Sequence, residues 1–407
     1  MDKRESKIPL VRFPEFKEGW EHKQLNELLK VSKKKNTDLK YSKEEVLSVS
    51  GELGIVNQIE HLGRSYAGES VHNYGVVENG DIVYTKSPLK ENPYGIIKLN
   101  KGVPGIVSTL YAVYKLKDNN ADGEFIEHYF SLDANTNRYL RPLVRKGAKN
   151  DMKINNEYVL HDRIFVPKKE EQKRIAHFFN VIDTKINQLK EKHNLLQEYK
   201  KGVMQKIFTQ EIRFKKEDGS DFADWVTNKK LKTYAKFYSG GTPRTTNKAF
   251  YEGNIPFIKS GEINSDYTEQ FISKEGLDNS SAKMVNKGDL LYALYGATSG
   301  EVGISKINGA INQAVLCIRS DEFDKNYLLG YLEYFKKSIV GKYLQGGQGN
   351  LSADIVKSLK IPKPVIEEQE KISNILTKID KKIIVVNNEI EDLKTYKKAL
   401  LQQMFCY

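Results

Sequence analysis

The sequence predicts an α+β fold: two mixed α/β globular segments separated by two long helices that form an antiparallel coiled coil, the whole repeating itself about an approximate twofold. Three observations predict it. A stretch of more than 40 residues recurs in the same order 197 positions later. Each copy carries a heptad seam. The stretches between the copies show short apolar strands punctuated by glycine turns.

The repeat comes first. From Pro167 the order runs Glu170-Glu171-Gln172, Ile175, Ile182-Asp183, Leu196, Tyr199-Lys200-Lys201, Gln205, Phe208. It returns from Pro364 as Glu367-Glu368-Gln369, Ile372, Ile379-Asp380, Leu393, Tyr396-Lys397-Lys398, Gln402, Phe405. Such register without a gap marks a duplication. Ile175, Phe179, Ile182, Ile186 and Leu189 advance in alternating steps of four and three, with Leu196 one heptad further on, and Ile372, Leu376, Ile379, Ile383, Val386, Ile390 and Leu393 do so throughout. That is the seam of a helix that packs on another helix. His193 and Lys200 interrupt the first seam, and Lys397 the second. The shared lysine predicts either a register-fixing group or a wet end. Pro167 and Pro364 precede each helix, where the chain is still extended. The Glu-Glu pairs fall in the first turn, where negative charge suits the helix dipole. Each helix spans about 36 residues, or ~54 Å.

Two domain-sized segments remain, 14–165 and 213–360. Their entries rhyme: Phe13-Pro14-Glu15-Phe16 leads to Trp20, and Arg213-Phe214 leads through Asp221-Phe222 to Trp225. Two echoes recur inside. Ser50-Gly51-Glu52-Leu53 matches Ser260-Gly261-Glu262-Ile263, with turn glycines. Gly80-Asp81-Ile82-Val83-Tyr84 matches Gly288-Asp289-Leu290-Leu291-Tyr292, which reads as a turn and a buried strand. Further strands are predicted from Gly105 to Tyr114 and from Ala310 to Ile318, and helices near Glu124–Phe130 and Tyr327–Lys336. Outside the echoes the two segments hardly resemble each other. Matched helices holding unlike units would set a distance between two dissimilar readers.

Composition narrows the function. Lys plus Arg is 65 against 53 Asp plus Glu, a net charge of +12. That favours a polyanionic partner, nucleic acid or acidic membrane. No run reaches the ~18 apolar residues of a membrane span, and Met1–Glu5 does not open a signal peptide. With Cys317 and Cys406 as the only cysteines, a disulfide framework and a cysteine-rich zinc site are excluded. The expected compartment is cytoplasmic. Catalytic signatures are weak. Asn92-Pro93-Tyr94-Gly95 has one proline too few for a methyltransferase base-holding motif and reads as a turn. Gly346-Gly347-Gln348-Gly349-Asn350 lacks the lysine and hydroxyl of a phosphate loop. No histidine has an i, i+4 partner for zinc. Glu21-His22-Lys23 ends like a nuclease pair without an upstream acid.

The paired Pro…Glu-Glu-Gln helices with their Tyr-Lys-Lys…Gln…Phe ends resemble those of the specificity (S) subunit of a type I DNA restriction–modification system. So do the bridge Gln210-Glu211-Ile212-Arg213-Phe214, Tyr238-Ser239-Gly240-Gly241-Thr242-Pro243 and Ile255-Pro256-Phe257-Ile258. The resemblance implies target recognition domains at 1–165 and 213–361, and conserved spacer helices at 166–212 and 362–407. It implies a chain without catalytic activity, with no cofactor of its own, that reads a bipartite double-stranded DNA site. It further implies two methyltransferase (M) subunits using S-adenosylmethionine, and restriction (R) subunits using ATP and Mg. A stand-alone coiled-coil DNA-binding protein, and an enzyme with an unrecognised site, are the rival readings.

DNA binding needs phosphate contacts for affinity and base-edge contacts for specificity. The first segment offers a basic run of Arg138, Arg141, Arg145, Lys146, Lys149 and Lys153, and a second loop with Lys86, Lys90 and Tyr94. The second offers Thr242, Arg244 and Thr245, then Tyr295 and Thr298, then Gln345, Gln348 and Asn350. Arg pairs with guanine and Asn or Gln with adenine. Two readers on one duplex face predict half-site centres ~34 Å or ~10 bp apart, and unlike readers predict a non-palindromic target.

Overall fold

The computed structural model describes residues 6–117, 120–146, 152–344 and 351–406. The chain divides into two compact units: unit 1 is Met1–Lys190 with Asn388–Tyr407, and unit 2 is Glu191–Asn387. The first long helix runs Lys169–Phe208 and the second Ile366–Met404. Each therefore contributes one part to each unit.

Unit 1 is built on a four-stranded antiparallel sheet of β1 (Leu29–Val31), β2 (Ile82–Thr85), β3 (Ile97–Leu99) and β4 (Tyr111–Leu116), in the order β1-β4-β2-β3. Every residue of β2 is buried, because the sheet is covered on both faces. A second layer pairs Gly75–Val77 with Gly105–Val107. Two helices follow, α1 (Gly123–Tyr129) and α2 (Asp133–Leu140).

Unit 2 repeats this plan with other residues. Its central sheet holds β5 (Lys236–Ser239), β6 (Leu290–Ala293), β7 (Val302–Ile304) and β8 (Val315–Arg319), in the order β5-β8-β6-β7. Lys283–Val285 pairs with Gly309–Ile311 as the second layer, and α3 (Lys325–Leu344) follows. The segments that hardly resemble each other in sequence thus share one topology. The second echo opens equivalent strands. Gly80 and Gly288 adopt φ of 86° and 98°, which favours glycine. Asp81 accepts from the Glu78 amide at 2.8 Å, and Asp289 from the Asn286 amide at 2.7 Å. Gly51 lies in a turn and Gly261 in a short 3-10 helix rather than the expected turn, and neither is left-handed.

The repeated Glu-Glu-Gln does more than suit a helix dipole. Glu171 is 1% exposed and accepts two 2.7 Å hydrogen bonds from Arg12 and one of 3.2 Å from the Trp20 indole. Glu368, fully buried, accepts from Arg213 at 3.2 and 2.9 Å and from Trp225 at 2.9 Å. Gln172 accepts from the Asp122 amide and donates to the Asn120 and Pro167 carbonyls. Gln369 does the same with Asp324, Glu322 and Pro364. Each motif ties a helix start to the domain before it, and fully paired buried polar groups hold one geometry.

Within each unit the start of one long helix lies against the end of the other, so the pair is antiparallel. In unit 1, Ile175, Phe179, Ile182 and Ile186 share a core with Leu401, Met404 and Phe405. In unit 2, Met204, Ile207 and Phe208 share one with Ile372 and Leu376. Leu189, Ile379, Val386 and Ile390 are buried, whereas Leu196, Ile383 and Leu393 are half-buried. The shared lysine is an ion-pair partner across the helices. Lys397 donates to both oxygens of Asp183 at 2.5 and 2.7 Å, and Lys200 lies 2.8 Å from Asp380 and 2.9 Å from Glu333. Burial favours neutral Lys200, but these acids outweigh it and raise its pKa.

Candidate nucleic-acid interface

Strand register gathers the predicted loops at one sheet edge in each unit. In unit 2, Ser239 at the end of β5 opposes Leu316, and Ala293 at the end of β6 opposes Val315. The loops after β5 and β6 therefore emerge together, beside the turn before β8. Close packing explains the paired glycines: a Cβ at Gly240 would sit 1.7 Å from the Ile311 carbonyl oxygen, and one at Gly241 2.1 Å from Ser281 Oγ. Thr242 donates to Gln313 Oε1 at 2.7 Å. Arg244 and Thr245 project from this braced base and are exposed. Tyr295 and Thr298 are half-buried, with Tyr295 packed on the unit's core. The Leu351 amide donates to the Leu294 carbonyl, so the chain re-enters at this same edge. Gln345, Gln348 and Asn350 lie outside the described residues.

The equivalent edge of unit 1 is basic. Tyr111 opposes Thr85, and Tyr114 opposes Val31. The Lys86 amide donates to Leu110, and the Ser32 amide to Val113. The loop after β1 occupies the place of the Gly-Gly-Thr-Pro loop, and it carries Lys33, Lys34 and Lys35, all exposed. These residues were missed in the sequence, where a short lysine run reads as a solvated face. Their signal is position: they follow the first sheet strand, as Thr242 and Arg244 do. Gln313 was missed for the same reason. Lys34 pairs with Glu78 at 2.8 Å, and hydrogen bonds from Lys115 and Lys34 hold that carboxyl at about 2. Lys86 is half-buried, and burial followed by repulsion from Lys35 pushes its pKa down.

The two predicted basic stretches of unit 1 come together. Asn92 donates to Asp133 at 2.7 Å, and Asn137 donates to the Glu91 carbonyl at 3.0 Å, tying the Lys90 loop to α2. Lys90 is exposed, while Tyr94 is half-buried on the core with its carbonyl accepting from Tyr84. Arg141 caps α2 and is exposed. Beyond it Arg145 pairs with Lys153, and Lys146 with Met152, in a short hairpin. Lys149 lies outside the described residues. Among the described residues no group of His, Cys, Asp or Glu is arranged to hold a metal ion, and no helix is long and apolar enough to cross a membrane.

The family model of the type I restriction modification DNA specificity domain matches residues 17–198 and 223–395. The chain belongs to this family. Each match takes in one globular segment and most of the helix after it. The specificity subunit is similar to a putative type I restriction enzyme MjaX specificity subunit of Methanocaldococcus jannaschii, 26% identical over 421 residues, covering 98% of this chain and 95% of the relative. Its fold is that of the S subunit from M. genitalium, with a TM-score of 0.61 at 15% identity over 98% of this chain and 99% of the other. It is also like a chain from a structural study of complex assembly and conformational transition of the type I R-M system, with a TM-score of 0.55 at 20% identity over 97% and 99%. Specificity subunits are the non-catalytic DNA-recognition components of such systems.

Proposed function

We propose that residues 1–165 and 213–361 each read one half of an asymmetric, bipartite double-stranded DNA site, with the helical segments 166–212 and 362–407 setting the gap. The observation that carries this reading is one loop edge built twice on the same strand order with unlike side chains. In unit 1 the exposed lysines and Arg141 serve phosphates; in unit 2 Arg244, Thr245 and Gln313 have the groups to address base edges. Phosphate contacts supply affinity without sequence information, and side chains at base edges supply the sequence.

The helices serve a second purpose. Tyr199 and Tyr396 are equivalent and 60% and 55% exposed. Side chains kept in both copies without burial fit two copies of one partner, two M subunits carrying S-adenosylmethionine, with R subunits carrying ATP and Mg joining them in the cytoplasm. The stand-alone reading finds no support in the family match.

The test is selection by the subunit–M complex from a randomised duplex library, together with the mass of that complex. Two constrained blocks around an unconstrained gap, and two M per chain, are expected. One contiguous block would overturn the reading.

A further inference from the structure

A cleft of about 710 Å³ opens within unit 1, between the domain and its two helix segments. Six lysines line it: Lys98, Lys101, Lys190, Lys394, Lys397 and Lys398. Four carboxylates share the lining, and each is already engaged. Glu52 lies 3.3 Å from Lys190, Glu127 2.8 Å from Lys101, Asp133 accepts from Asn92, and Asp183 holds Lys397. His128 is also in the wall, but burial lowers its pKa to about 4, so it adds no charge at neutral pH.

Lys394 lies 2.8 Å from Glu391, outside the lining, so Lys98 and Lys398 are left over. Lys98 sits in the middle of β3 opposite Val83, half-buried. Among the described residues no hydrogen bond or ion pair neutralises it. Burial disfavours its charge and pushes its pKa down; Glu127, Asp133 and Asp183 oppose this without reversing it, and Lys397 nearby adds to the fall. A half-buried cation whose desolvation outweighs its acidic neighbours is a cost to the fold.

Unit 2 supplies the control. Gly303 takes the place of Lys98, opposite Leu291, and a Cβ there would meet Asn264 Oδ1 at 2.0 Å. Lys200, the counterpart of Lys397, faces two acids rather than one. A purely architectural role for Lys98 would appear in both copies; it appears in one.

We propose that the unit 1 cleft is a phosphate-binding site, with Lys98 as its central contact and Lys398 at its mouth. The phosphate belongs either to the DNA backbone or to a free polyphosphate such as that of a nucleotide. Only the DNA arm rests on the function proposed above, and its effect is blind to sequence, which separates it from a failure of base reading.

The test uses the full chain with its M subunits and the variants Lys98→Met, Lys98→Arg and Lys398→Gln. Inorganic tripolyphosphate is titrated by calorimetry, and affinity for the specific duplex and an unrelated duplex is measured against salt. For a free polyphosphate, Lys98→Met weakens tripolyphosphate binding at least tenfold and Lys98→Arg retains it. For a DNA phosphate, Lys98→Met and Lys398→Gln each lower the slope of log affinity against log salt by ~1, equally on both duplexes. In either case Lys98→Met melts at the same temperature or higher. Unchanged tripolyphosphate binding together with an unchanged salt slope overturns the proposal, as does a Lys98→Met chain that melts lower.

Discussion

Replacing Arg213 by methionine strands a fully buried carboxylate. Glu368 would lose hydrogen bonds of 3.2 and 2.9 Å and keep only the Trp225 indole at 2.9 Å. Breaking a buried pair from one side costs ~3–5 kcal/mol, because the remaining charge is desolvated without compensation. The Arg213 side chain is 23% exposed, so some water reaches the vacated place and the lower end applies, about 3 kcal/mol. For a unit of this size that is a fall in melting temperature of ~6–12 °C. Scanning calorimetry reads it directly. The second half of the prediction is non-additive: Arg213→Met with Glu368→Leu removes both charges and recovers most of the loss. A single variant that loses less than ~1 kcal/mol, or a double variant no better than the single, would refute the view that Glu-Glu-Gln anchors each domain to its helix.

Other outcomes follow from the same structure. Asp183→Lys sets two cations together and is expected to cost ~1–2 kcal/mol; adding Lys397→Asp restores most of it, and an additive double-mutant cycle by denaturant unfolding would show that the pair does not hold the helices in register. Lys33→Ser with Lys35→Ser should weaken binding of the M complex to any duplex alike and reduce the salt slope by ~2, whereas a loss confined to one sequence would place these lysines at bases. Seven residues inserted in register into both long helices add ~10 Å and should widen the gap of the target by ~3 bp with both halves unchanged. An unaltered gap in the modified motif would refute the spacing role of the helices.

The helical scaffold was legible because its partners are themselves repeats. Asp183 needs Lys397 as Asp380 needs Lys200, so both copies keep the same residues at the same spacing. The roles of those residues were less legible. Glu171 and Glu368 read as first-turn acids, since their arginines stand 159 and 155 positions away. The common plan of the domains was hidden because a short buried strand asks only for apolar bulk: Ile82–Thr85 and Leu290–Ala293 fill one role with different side chains. The loop edge was half legible. Thr242 and Arg244 stood out by chemistry, but Lys33–Lys35 gain meaning only from register, which brings the end of β1 beside Lys86. For the Gln345–Asn350 loop the sequence remains the whole of the argument.

Methylome sequencing of cells that carry this chain with its M subunit, beside the same cells carrying Arg244→Gln, tests the two-reader account most directly. The account predicts one modified motif with two unlike halves and a fixed gap, and in the variant a relaxed or altered unit 2 half with the other half and the gap intact. A contiguous or palindromic motif, or a substitution at Arg244 that changes both halves at once, would contradict it.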